Sequence, residues 1–130
     1  AELYERVYTV TSYWDCPRSG IADCHGQPHV YESVFEEEAD DYGDFFLRPV
    51  DETTLALALE AWALWVEWRK GEGPPPDQEP RYKELQTRLA PHLAIDHTTA
   101  RRARATFRRL GPTYLSSALV PFEVSWSVLT

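Results

Sequence analysis

The sequence predicts an α+β fold: an antiparallel sheet of five or six strands, open or curled into a small barrel, packed by one long helix and joined by a second, short one. Three patterns predict it. Segments of alternating polarity rich in β-branched and aromatic residues fill the first third of the chain and its last ten residues. One long apolar run at helical spacing lies between Asp51 and Lys70, and a proline-rich stretch separates it from a weaker helical pattern. At 130 residues and 43% hydrophobic content the chain has the size of one compact domain, expected to span residues 1–130 with 71–80 as an internal linker.

Each element follows in order. From Leu3 to Trp14, Val7, Thr9 and Thr11 alternate with Tyr8, Val10 and Ser12, the period of a strand. Pro17-Arg-Ser-Gly20 carries turn chemistry, leaving a short strand over Ile21–Cys24. His25-Gly26-Gln27-Pro28 predicts a second turn, and His29 to Phe35 a third extended segment. Residues 36–44 hold six carboxylates in nine positions, Glu36, Glu37, Glu38, Asp40, Asp41 and Asp44, and mutual repulsion predicts a solvated loop. A short strand over Asp44–Val50 follows, closed by Pro49.

Asp51 is the expected cap of the long helix, with Glu52 favourable to its dipole and Gly71 and Gly73 ending it. Two apolar rows, Leu55, Ala58, Leu59, Trp62, Trp65 and Val66, and Leu57, Ala61, Leu64 and Trp68, leave Thr53, Glu60 and Glu67 as a narrow polar strip. Such a helix is expected to be covered on most sides. After the proline-stiffened 71–80 segment, Pro80 opens a second helix, about Arg81 to Ala90, which Pro91 stops or kinks. Residues 99–110 fit a helix capped by Thr98 or a strand with Ala103, Ala105 and Phe107 on one face. The strand is the preferred reading, because Val120, Phe122, Val124, Trp126 and Val128 alternate as a strand that would partner it, with Glu123 able to meet an arginine.

Charge is unevenly spread. Residues 1–79 carry 18 acidic and 5 basic side chains, residues 80–130 carry 3 and 8, and the whole chain is −8. An acidic field disfavours polyphosphate backbones and anionic membranes and favours a basic partner. The apolar run from Leu55 to Val66 is shorter than the roughly 20 residues a bilayer crossing needs, and a cytoplasmic location is expected.

The chemistry-bearing residues are sparse. Trp14 to His29 holds both cysteines and two histidines, yet Cys16 and Cys24 are too far apart, and Cys24 and His25 too close, for the paired spacing of a structural zinc site. The stretch reads as turn geometry, with thiols reduced in a cytoplasm. Asp23 or Asp96 beside a histidine would make an acid–base pair, but no nucleophile elbow, phosphate loop, dinucleotide fingerprint or zinc-protease helix occurs. An enzyme is thus the less favoured class, and no cofactor is expected.

The leading expectation is a non-catalytic, acidic protein-binding module of the immunity, antitoxin or adaptor kind, with a basic protein partner or a second copy of itself. Its candidate contacts are Glu36, Glu37, Glu38, Asp40, Asp41, Asp44, Trp68, Arg102 and Arg104. Trp, Tyr and Arg are the types that anchor interfaces, and Trp68 at the helix end is the tryptophan expected to be exposed. The alternatives are a small enzyme or metal protein using Cys24, His25 and His29, and nucleic-acid binding through Arg101–Arg109.

Overall fold

A computed structural model describes residues 3–14, 16–36, 41–111 and 121–129. Six strands form a closed antiparallel barrel in sequence order: β1 (Glu5–Trp14), β2 (Cys16–Cys24), β3 (Gln27–Glu36), β4 (Asp41–Pro49), β5 (Arg101–Arg109) and β6 (Phe122–Leu129). Two helices, α1 (Glu52–Arg69) and α2 (Pro80–Leu93), lie between β4 and β5 in the chain. The chain divides into two compact units, the barrel (Ala1–Pro49 with Ile95–Thr130) and the helices (Val50–Ala94). None of the described helices is long and apolar enough to cross a membrane.

The expectation of a sheet packed by one long helix needs correction. Closure lets the sheet bury its inner face against itself. The two helices form a unit in which α1 packs against α2. Inside the barrel, Ala22, Cys24, Tyr31, Phe45, Leu47, Ala103 and Val124 form the core, with Val7, Ala105, Phe107, Trp126 and Val128 packed on it. Every pair among the rings of Tyr31, Phe45, Phe107 and Trp126 lies 5.7–6.1 Å apart in tilted or edge-to-face geometry, each pair contributing about 0.5–1.5 kcal/mol beyond its buried area.

The Pro17–Gly20 turn does not form, and β2 is not confined to Ile21–Cys24. These residues belong to one strand, whose pairing with β1 shifts register three times, between Val7 and Thr9, Val10 and Ser12, and Ser12 and Tyr13. Bulges beside Pro17 and Gly20 let one strand run through residues that otherwise signal a turn, and consecutive Thr9 and Val10 are both buried. The true turn is His25-Gly26, with φ of 54° and 77°, the two-residue link that matches strand twist. Both of its N–H groups donate to the Glu5 carboxylate, at 3.1 and 2.7 Å.

The 36–44 segment is likewise not wholly a loop: β3 runs to Glu36, β4 starts at Asp41, and these two residues pair across the ladder. Within residues 99–110 the strand β5 forms over Arg101–Arg109, where Phe45 faces Ala103 and Ala105 faces Trp126 as the barrel closes. Pro91 does not stop α2, which ends at Leu93. So late a proline removes a hydrogen bond only from the last turn.

Candidate interaction surfaces

The arginines of β5 owe their positions to strand alternation. With Ala103, Ala105 and Phe107 turned to the core, Arg102, Arg104 and Arg108 stand on the outer wall. Asp44 of β4 is the register partner of Arg104. Its carboxylate accepts from Arg104 Nε at 2.9 Å and from Arg102 Nη2 at 3.0 Å. The Asp44 side chain is only 12% exposed, so the expectation that it belongs to a solvated acidic loop is corrected. Two guanidinium groups hold it against the barrel. Arg108 faces Glu123 across β5 and β6 and donates to Glu123 Oε1 from Nε and Nη2 at 2.8 and 2.6 Å, while its Cζ lies 3.8 Å from the ring centre of Tyr4. The expected arginine partner of Glu123 is therefore Arg108. Arg109 donates to the Tyr13 hydroxyl at 2.9 Å.

The remaining acidic candidates separate from Asp44. Glu36 and Asp41 close the β3–β4 ladder, and Glu37, Glu38 and Asp40, which connect them, lie outside the described residues. Trp68 sits at the end of α1 and is 36% exposed, as its place in the sequence predicts. Trp62 and Trp65 are half-buried and stacked at 5.2 Å, Trp65 meets Trp68 edge-on at 6.3 Å, and Arg69 lies over both Trp65 and Trp68.

Cys24, His25 and His29 do not converge. Cys24 points into the core, His25 is exposed at the turn, and buried His29 has its Nδ1 2.7 Å from the Gln27 carbonyl oxygen. Burial pushes the Cys24 thiol up, Glu5 adds to this and Arg101 partly offsets it, so the nucleophilic thiolate is disfavoured. Both cysteines are free, and among the described residues no group of three or more His, Cys, Asp or Glu could hold a metal ion.

Of the two carboxylates weighed beside histidines, Asp96 accepts from the N–H and hydroxyl of Thr98, which hold its carboxyl below the usual range. Asp23 accepts from the Tyr8 hydroxyl through Oδ2 at 3.1 Å. Its Oδ1 is buried without a hydrogen-bond partner among the described residues.

One cluster was missed. His97 stacks on Phe46 at 4.2 Å with 15° between the planes, and its Nε2 lies 3.0 Å from Glu32 Oε2, while Arg102 lies over the same Phe46 ring. Glu32 and His97 are 65 residues apart, so no local pattern could join them. The usable signal was Phe45-Phe46: adjacent strand residues face opposite ways, so one of the two rings must lie outside and be covered. No protein-family model matches this chain, and no curated protein or solved structure is found similar to it.

Proposed function

We propose that the protein is a non-catalytic binding module whose partner presents a basic surface, in the manner of an immunity, antitoxin or adaptor protein. The observation that carries this reading is the pairing of the outward β5 arginines with carboxylates of the same wall. Arg102, Arg104 and Arg108 are taken up by Asp44 and Glu123. Three of the five β5 arginines are thus engaged by carboxylates of the same wall, and the net charge of −8 sets an acidic long-range field. The filled barrel interior supports the same class, since the aromatic cluster occupies the space where small barrels otherwise hold a ligand. The contact is assigned to Glu36, Glu37, Glu38, Asp40 and Asp41, with Arg102 and Arg104 serving to hold Asp44.

The test is fluorescence anisotropy with a labelled lysine-rich peptide. The wild-type protein is compared with the triple variant Glu37→Gln, Glu38→Gln, Asp40→Asn, at low salt and near 0.15 M, where exposed charges are screened beyond about 8 Å. Binding that weakens with salt and is lost in the triple variant is expected; equal binding by the two proteins, or none by either, rejects the proposal. A labelled DNA duplex run in parallel is expected to show no binding, and a shift abolished by Arg102→Ala/Arg104→Ala would instead favour nucleic acid.

A further inference from the structure

The helix α1 carries more apolar surface than its pairing with α2 covers. Only Thr54, Ala58 and Ala61 of its 18 residues are fully buried. Glu60, whose carboxylate holds Arg81 of α2 at 2.6 and 2.8 Å, marks the flank turned toward α2. At about 100° per residue, Leu55, Leu59, Trp62 and Val66 lie roughly 100–160° round the helix from Glu60. All four keep part of their surface in solvent, and Ala56 and Ala63 nearby are exposed. This stripe bears no charge. On this face charge lies at the ends of the helix, Asp51 and Glu52 at the start, Arg69 and Lys70 at the finish, while Glu60 and Glu67 lie on another face.

We infer that this stripe is the seam of a two-fold homodimer in which α1 of one copy lies antiparallel against α1 of a second. Pairing about the middle of the helix, between Glu60 and Ala61, brings Glu52 of each copy beside Arg69 and Lys70 of the other and opposes the two helix dipoles. Parallel pairing would set like charges together. The same rotation places Trp62 opposite Leu59 and Leu55 opposite Val66. A neutral centre with opposite charges at its two ends is complementary to itself under two-fold rotation, the condition an isologous contact must meet. A helix of 18 residues is about 27 Å long, and one strip of that length buries less than the roughly 800 Å² per partner of a standard interface. The dimer is accordingly weak and concentration-dependent.

Sedimentation velocity of the full chain, from about 1 µM to several hundred micromolar, tests the seam with Glu52→Lys, Lys70→Glu and the double variant. Both residues are exposed, and far-UV circular dichroism checks that each variant folds. The wild-type mass is expected to rise with concentration from 15.0 kDa toward twice that value. Each single variant should weaken association about 3- to 10-fold, and the double, which restores opposite charges, should recover it. The double variant carries both helix-end charges in the unfavourable sense for the isolated helix, so its recovery cannot come from helix stability. Monomer at every concentration, a dimer indifferent to the single changes, or no recovery in the double variant would each overturn the seam. The inference does not depend on the acidic contact proposed above.

Discussion

At the residue scale, Gly20 shows how closely the barrel wall is built. A Cβ there would lie 2.0 Å from the Thr9 carbonyl oxygen and 2.8 Å from the Tyr31 hydroxyl. The missing side chain lets the Tyr31 hydroxyl donate to Thr9 O at 3.0 Å, next to Ile21 N–H donating to Thr9 Oγ1 at 2.9 Å. Burial pushes the Tyr31 phenol far up, so the hydroxyl stays a neutral donor. Gly20→Ala is expected to destabilise by at least about 1–3 kcal/mol, the usual cost of forcing atoms into a filled core. Urea unfolding followed by tryptophan fluorescence measures this, and an unchanged midpoint would contradict the close approach. The cysteines look chemical in sequence but prove ordinary here: the Cys24 position is one any small apolar side chain could share.

At the scale of elements, α1 is started by a single side chain. Asp51 Oδ1 accepts from the Thr54 N–H at 2.7 Å, and that bond holds the Asp51 carboxyl below the usual range. Because the folded state favours the ionised form, the cap stabilises the helix above the carboxylate range, and the contribution is lost as pH falls through the depressed value. Asp51→Ala should therefore lower the melting temperature at neutral pH, with the gap to wild type closing below about pH 4. Differential scanning calorimetry across pH checks the prediction, and a gap independent of pH would show that the carboxylate is not the stabilising group. For β5 the element was legible only through its neighbour. Arg101 to Arg109 fits two periods equally well, and the alternation of the Phe122 to Leu129 strand tipped the balance.

At the scale of the molecule, the helical unit interrupts the barrel without interrupting its ladder. Leu47 of β4 pairs directly with Arg101 of β5, so the chain leaves and re-enters the sheet at adjacent strands. Replacing residues 50–94 by a short Gly/Ser connection is expected to leave the near-UV signal of Tyr31, Phe45, Phe107 and Trp126 in place. Loss of that signal, with the chain otherwise soluble, would show that the barrel depends on the helices. Antiparallel neighbours need only a short link, which is why an insertion here is tolerated.

The amino-acid sequence by itself determined the repeating local choices: the alternation of the strands, the Asp51 cap, the His25-Gly26 turn, the exposure of Trp68 and the excess of carboxylates in the first 79 residues. These rest on periodicity, φ preference and composition, all carried by near neighbours in the chain. Tertiary structure alone decided that the sheet closes on itself, that Pro17 and Gly20 pair within a bulged strand rather than form a turn, and that Asp44 belongs to Arg102 and Arg104. Only closure and register brought His97 to Phe46 and Glu32. The physical reason is common to all of them: a shift of one residue in a ladder moves every side chain to the opposite face, and that choice is made by partners far away in sequence.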